Sequence, residues 1–195
     1  WLIDCWRSSI GSKVTMAITG ILLFGFVIGH LIGNLQFLAG SPDPINHYAK
    51  MLHDLGPLLW VVRIGLLVVF LMHVITGIRL AQANRLARPV AYSRPATIDA
   101  SFASRSMVLT GLSLLVFVIY HLLHFTVGVT NPEHSAMVTL LDGEQVKDVH
   151  GMMVASFSVV PIAIAYAAFM LVLFFHLSHG IQSFAQTIGI NHGRY

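Results

Sequence analysis

The sequence predicts an all-α integral membrane protein in which four membrane-spanning helices form a bundle. Of its 195 residues, 56% are hydrophobic and only 10% are charged, whereas a soluble domain carries about a quarter charged residues. A helix needs about 20 mostly apolar residues to cross the hydrocarbon core of a bilayer. Four stretches are long enough, at about residues 13–39, 57–86, 104–130 and 149–188. We therefore expect a single membrane domain over residues 1–195.

Proline and asparagine mark the ends of the first and third spans. Pro42 and Pro44 follow the first span, and Asn131 and Pro132 follow the third. The fourth stretch is longer than one crossing requires and contains Pro161, which removes one helix hydrogen bond. Because no polar turn interrupts this stretch, we expect one continuous helix with a kink.

The distribution of basic residues predicts the orientation of the spans. Lys and Arg are enriched on the cytoplasmic side of membrane proteins. Both termini and the 87–103 loop with its flanks are basic, whereas the 41–56 and 131–148 loops carry most of the acids. We therefore expect both termini to be cytoplasmic. These basic residues border apolar segments rather than forming one patch, so no nucleic-acid partner is expected. They include Arg7, Lys13, Arg79, Arg85, Arg88, Arg94, Arg105 and Arg194.

Each predicted span contains one histidine deep within it. The four residues are His30, His73, His121 and His176. Ionisable side chains inside a membrane are costly and are usually functional, and imidazole is the commonest protein ligand for metals and for haem iron. The pattern indicates metal or haem ligation, although any one of these histidines could also be a hydrogen-bonded helix contact.

The four histidines fall on two levels. His30 and His121 each lie ten residues before the outer end of their helix, which is about 15 Å. His73 and His176 each lie twelve residues before the inner end, which is about 18 Å. Each pair joins two helices of the same direction. Two bis-histidine haems at two depths would make an electron path across the membrane.

Two further histidines compete with this assignment. His124 and His179 each follow a proposed ligand by three residues on roughly the same helix face, so they are rival ligands or contacts for haem propionates or a quinone. Matching depths favour His121 and His176. Glycines on the first three spans fit a large flat cofactor, although close packing of helices is the favoured explanation when they are taken alone.

Four short strings, in order, carry a resemblance to a known family. They are GHLIGN at 29–34, LMHVITGI at 71–78, VIYH at 118–121 and HLSHGIQSF at 176–184. Together they resemble the haem-ligand segments of the diheme cytochrome b (b558-type) membrane anchor of succinate dehydrogenase and fumarate reductase. The spacings of 43, 48 and 55 residues between the proposed ligands are similar to those of that family, and the resemblance covers nearly the whole chain.

The resemblance implies a role as the anchor of complex II in the bacterial cytoplasmic membrane. His73 and His176 would hold the proximal haem b, and His30 and His121 the distal one. Electrons from succinate would pass through FAD and iron–sulfur clusters on a flavoprotein and an iron–sulfur partner subunit, and then through the two haems to a quinone, expected to be menaquinone. The family has five membrane helices, so a fifth is expected after Tyr195.

Several polar residues are candidates for propionate or quinone contacts. Arg63 lies inside the second span at the outer level, where we expect a distal propionate partner, with snorkelling to the interface as the alternative. Lys13 and Arg79 are the corresponding inner candidates, although anchoring at the interface is favoured for both, and Ser183 is the last serine of the fourth string. Reduction of a quinone also needs a proton donor in contact with water. The outer candidates for that site are His47, His53, Asp54 and Trp60, with Tyr48 beside them, and the inner candidates are Ser9 and Ser12.

Other functions remain open on the sequence. The same electron path run in reverse gives a quinol:fumarate reductase subunit. A cytochrome b of another class, such as a bc-complex or formate-dehydrogenase type, is one rival, but the bc pattern puts two histidines about two turns or more apart on each of two helices, which this chain does not show. A transporter or scaffold without haem, with structural histidines, is the alternative from another class.

Overall fold

The computed structural model describes residue 6 and residues 8–87 and 102–190 of the chain. Arg7, Arg88, Arg94 and Arg194, on which the predicted orientation partly depends, lie outside the described residues.

Among the residues that the structure describes, four helices are long and apolar enough to cross a membrane, in agreement with the prediction of an all-α membrane protein. No more than 17% of the most apolar window of any of them is buried within the described structure. Apolar surface left outward in this way suits contact with lipid tails, whose apolarity matches that of the side chains. The helices and strands, in chain order, are α1 (Ser9–Leu35), α2 (Asp43–Asp54), α3 (Pro57–Leu86), α4 (Phe102–Arg105), α5 (Met107–His121), α6 (Pro132–Ser135), β1 (Val138–Leu141), β2 (Glu144–Lys147), α7 (Val149–Ser158) and α8 (Val160–Thr187).

The predicted bounds are closest for the second span, where the expected stretch 57–86 coincides with α3. The third span begins at Met107 and continues past α5 as a π-helical turn, Leu122–Val127. Gly128 ends that turn with a φ of 79°, and its N–H donates to the carbonyl of Leu123. Such wide turns inside α-helices often occur at functional sites.

The prediction of one continuous helix over 149–188 is wrong. α7 ends at Ser158, Val159 adopts an extended conformation with ψ of 100°, and α8 begins at Val160. Pro161 is the physical reason, because it has no N–H to donate to the carbonyl four residues earlier and its ring clashes with that carbonyl, whereas the first turn of a new helix tolerates it.

The two segments predicted as outer loops contain regular structure. The 41–56 segment is mostly α2, and the 131–148 segment contains α6 and an antiparallel hairpin of β1 and β2. Asp142 and Gly143 join the strands with φ values of 53° and 82°. An Asp-Gly pair with two positive φ angles is the preferred two-residue hairpin turn, so this signal was present in the sequence.

The chain divides into two compact units. The first unit takes the described residues of Trp1–Gly25, Leu66–Leu115 and Val172–Tyr195, and the second takes Phe26–Gly65 and Val116–Leu171. His73 and His176 belong to the first unit, and His30 and His121 belong to the second. The predicted pairing of histidines therefore coincides with the division of the structure.

In the second unit, the side chain of Asn46 on α2 is hydrogen-bonded to the residues at which α7 begins. Its side-chain oxygen accepts hydrogen bonds from the N–H groups of Val149 (2.9 Å) and His150 (3.1 Å), and its amide nitrogen donates to Asp148 (3.1 Å). Asp148 in turn caps α7 by accepting from Gly151 N at 2.9 Å. The first N–H groups of a helix lack partners within the helix, so these contacts fix where α7 begins.

Candidate functional site

In the first unit, His73 of α3 faces His176 of α8. The centroids of the two imidazole rings lie 6.5 Å apart, and their planes are 71° from parallel. Both side chains are half-buried. Two imidazoles from different spanning helices thus converge at one point.

A threonine fixes the orientation of each ring of this pair. Nδ1 of His73 lies 3.2 Å from the hydroxyl oxygen of Thr19, and that hydroxyl donates its proton to the carbonyl of Thr15 at 2.7 Å. In that arrangement the threonine oxygen accepts a hydrogen bond from Nδ1 of His73. Nε2 is left with a free lone pair, which is the form that a metal requires.

The same arrangement recurs at the second histidine of the pair. Nδ1 of His176 lies 3.2 Å from the hydroxyl oxygen of Thr110, which donates to the carbonyl of Met107 at 3.1 Å. A glycine follows each threonine and makes room for the ring. A Cβ on Gly20 would lie 3.5 Å from His73 Cε1, and one on Gly111 would lie 3.3 Å from His176 Cε1.

In the second unit, His30 of α1 faces His121 of α5. Their ring centroids lie 5.8 Å apart and their planes are 88° from parallel. Phe26 stacks on His30 at 5.5 Å, and Phe117 lies 6.0 Å from His121. Nδ1 of His121 is buried and has no hydrogen-bond partner among the described residues. A buried nitrogen without a partner is costly in an apolar setting.

His124 belongs to a separate polar network in the second unit. The side chain is 2% exposed. Its Nδ1 lies 3.0 Å from the hydroxyl of Tyr166, and its Nε2 lies 3.2 Å from the hydroxyl of Ser156, which is also 3.2 Å from Nδ1 of His134. Because both ring nitrogens have partners, this geometry favours a structural role for His124 over that of an iron ligand.

The two facing pairs fit a haem better than an ion held by protein alone. Metal–imidazole bonds of about 2 Å on opposite sides of one ion separate the ring centroids by roughly 6 Å, close to both observed distances. Among the described residues, no group of three or more His, Cys, Asp or Glu side chains could hold a metal ion. A haem needs only axial ligands from the protein, so two histidines suffice for each.

The outer quinone and propionate candidates of the second unit make three separate contacts with neighbouring residues. Arg63 lies over the ring of Trp60, with its guanidinium carbon 5.2 Å from the ring centroid. His47 lies 3.5 Å from Asp142 of the hairpin turn. Asp54 pairs with Lys50 at 2.8 Å, and His53 is exposed.

Lys50 links α2 to the hairpin in the second unit. Its amine donates to Asp54 and lies 3.2 Å from Glu144 of β2. These hydrogen bonds to Asp54 and Glu144 raise the pKa of Lys50 above its ordinary value. Tyr48 packs elsewhere, with its hydroxyl and ring 2.5 Å from where a Cβ on Gly33 would lie.

The inner candidates Ser9 and Ser12 line a groove in the first unit. The groove has a volume of about 270 Å³ and is otherwise lined by Arg79, Leu80, Gln82, Ala83 and Leu86. Trp6 packs over Arg79, with 4.2 Å from the guanidinium carbon to the ring centroid. Ser12 donates to the carbonyl of Trp6 at 2.8 Å. Lys13 is exposed and does not line the groove, and His179 and Ser183 on α8 are half-buried.

Sequence reasoning missed the residues that hold the histidines. Thr19-Gly20 and Thr110-Gly111 both form a Thr-Gly pair, and each threonine lies eleven residues before a proposed ligand on its own helix. That repetition was a usable signal. Tyr166 and Ser156, which satisfy His124, left no comparable trace in the sequence.

The chain was compared with models of protein families, with curated proteins and with solved structures, and none of them matches it.

Proposed function

We propose that this chain is the membrane-anchor cytochrome b subunit of a succinate:quinone oxidoreductase, with two haems b held by His73 and His176 and by His30 and His121. It would carry electrons from an iron–sulfur partner subunit to a quinone, which we expect to be menaquinone. The proposal combines the sequence resemblance with the geometry of the two histidine pairs.

The observation that carries the proposal is the convergence of two histidines in each unit. Each pair joins two different spanning helices, with ring centroids 6.5 Å apart in one unit and 5.8 Å in the other. Histidines that serve only as helix contacts need no such pairing. Two facing imidazoles suit axial ligation of one iron.

The residues around the pairs have separate tasks in this proposal. A bound haem b would supply one-electron transfer between the ferrous and ferric states of its iron. Thr19 and Thr110 orient the rings of His73 and His176. The apolar faces of the spanning helices anchor the complex in lipid and keep water from the ligands.

The chemistry of succinate belongs to partner subunits. We assign FAD and the iron–sulfur clusters to a flavoprotein and an iron–sulfur partner. For the quinone, the groove lined by Ser9, Ser12 and Arg79 is the inner candidate, and the region of His47, His53 and Asp54 is the outer one.

Visible spectroscopy on the purified complex tests the proposal. We expect a reduced-minus-oxidised spectrum with two bis-histidine b-type signals and two haems per chain. His73→Ala should remove one signal and leave the other, and His30→Ala should remove the complementary one. His53→Ala, at an exposed histidine of α2, is the matched control and should retain both.

Absence of haem from the wild-type complex would refute the proposal, and loss of both signals in each variant would refute the assignment of the pairs. The rates of succinate oxidation with a quinone and of fumarate reduction with a quinol, measured on the same preparation, distinguish the two directions.

A further inference from the structure

We infer that Thr19 and Thr110 are positioning residues that set the reduction potential of the haem held by His73 and His176. The inference rests on the proposed function and adds to it a role for two side chains that do not touch the iron. It applies to one of the two pairs only.

The direction of the hydrogen bonds determines which ring nitrogen of His73 and of His176 carries the hydrogen. Both threonine hydroxyls donate their proton to a carbonyl of their own helix. Thr19 donates to the carbonyl of Thr15, and Thr110 donates to that of Met107. In that arrangement each accepts from the histidine, so both imidazoles donate through Nδ1. The assignment suits the proposed haem, because an imidazole that binds iron through Nε2 carries its hydrogen on Nδ1.

A hydrogen bond donated by Nδ1 changes the basicity of the imidazole as a ligand. An imidazole that donates its second N–H to an acceptor becomes a more basic ligand, and such outer hydrogen bonds are a recognised means of tuning a metal. A more electron-rich ligand stabilises ferric over ferrous iron and so lowers the reduction potential. Here both ligands of one site carry the same contact, so the two effects act in the same direction.

The histidine pair of the second unit lacks such a threonine among the described residues. No threonine contacts His30 or His121 among the hydrogen bonds of the described residues, and Nδ1 of His121 has no partner there. Replacing Thr19 or Thr110 should therefore change the potential of one haem and leave the other unchanged.

Redox titration of threonine variants in the intact complex tests the inference. Thr110→Val keeps the branched shape but removes the acceptor, whereas Thr110→Ser keeps the hydroxyl. We expect Thr110→Val to retain two haems per chain, to shift the potential of one haem upward, and to leave the other in place. Thr110→Ser should restore the wild-type value.

Thr187→Val is the matched control. Thr187 also donates to a carbonyl of its own helix, that of Ser183 at 2.8 Å, but contacts no histidine of the described residues, so its replacement should change neither potential. Thr19→Val examines the opposite ligand and supplies the same measurement if Thr110→Val does not fold.

Two results would overturn the inference in a protein that binds two haems. One is an unchanged potential in both valine variants, and the other is an equal shift in Thr110→Val and Thr110→Ser, which would indicate an effect of shape alone. A wild-type complex without haem would instead remove the proposed function itself, so the two failures are distinguishable.

Discussion

The hydroxyl oxygen of Thr110 on α5 lies 3.2 Å from Nδ1 of His176 on α8. The same relation holds between Thr19 on α1 and His73 on α3. In both cases the threonine is followed by a glycine that approaches the same ring. The contact between α1 and α3 and the contact between α5 and α8 are thus alike. In each, a threonine hydroxyl accepts a hydrogen bond from a histidine ring, and the next residue is a glycine, which leaves room for that ring. A polar contact made twice at equivalent places indicates a requirement for a fixed ring orientation.

Replacement of Gly111 by alanine should be less favourable than replacement of Gly20. Alanine is about 1 kcal/mol better than glycine inside a helix, but a Cβ at Gly111 would lie 3.3 Å from the ring of His176, against 3.5 Å for Gly20 and His73. We expect Gly20→Ala to raise the thermal unfolding midpoint of the detergent-solubilised protein and Gly111→Ala to gain less or to lower it.

Gly25→Ala is the control for these variants, because nothing lies within 4 Å of its added Cβ. It should gain the full benefit of helix propensity. Equal midpoints for Gly111→Ala and Gly25→Ala would show that the ring of His176 is not tightly confined.

Ser156→Ala should destabilise the second unit. The Ser156 hydroxyl is fully buried and lies 3.2 Å from both His124 and His134. Its loss leaves Nε2 of His124 without a partner in a buried site, which costs about 1–3 kcal/mol. Thermal unfolding followed by circular dichroism measures the effect.

Ser158→Ala provides a comparison on the same helix. The hydroxyl of Ser158 is exposed and, among the described residues, bonds only to the carbonyl of Val154 on its own helix, so its removal should cost little. If the two alanine variants unfolded at the same temperature, the network around His124 would contribute nothing measurable to stability.

The spanning helices could be predicted from the sequence because their signal is local. A long apolar run needs no information about its neighbours, and α3 was found at the predicted residues. The pairing of His73 with His176 and of His30 with His121 also followed from counting residues along straight helices. The break at Val159 was missed because one apolar stretch contains both α7 and α8, and only the local conformation before Pro161 separates them.

The partners of the histidines could not be predicted in the same way. Thr19 and His73 are 54 residues apart, and Asn46 and Asp148 are 102 apart. Such contacts depend on how helices pack, which residue periodicity does not encode. The hairpin is a different case, since Asp142 and Gly143 carried a local turn signal that was obscured by the charged residues around it.

Asn46→Ala should loosen the start of α7. The side chain is 1% exposed and accepts from the N–H groups of Val149 and His150, and loss of a helix cap costs about 1–2 kcal/mol. We expect a lower thermal midpoint and faster proteolysis in the hairpin. Gln145→Ala, at an exposed residue of β2, should leave both unchanged, and equal cleavage rates in the two variants would exclude a capping role for Asn46.

Lys50 should make the stability of the second unit depend on alkaline pH. Its hydrogen bonds to Asp54 and Glu144 raise its pKa above the ordinary 10.5, so the folded protein binds this proton more tightly than the unfolded chain does. The stabilisation is therefore fully present below pH 10.5 and is lost as the pH rises through the raised value. Lys50→Met should unfold at a lower temperature than wild type at neutral pH, and the difference should shrink above pH 10.5.

Burial lowers the pKa of Lys147 in the same hairpin, but this residue is present in both proteins, so the comparison cancels its contribution. Added salt should also reduce the difference, because the pairs of Lys50 are near the surface. A difference that stays constant across this pH range would mean that Lys50 stabilises the second unit through its alkyl chain rather than through its charge.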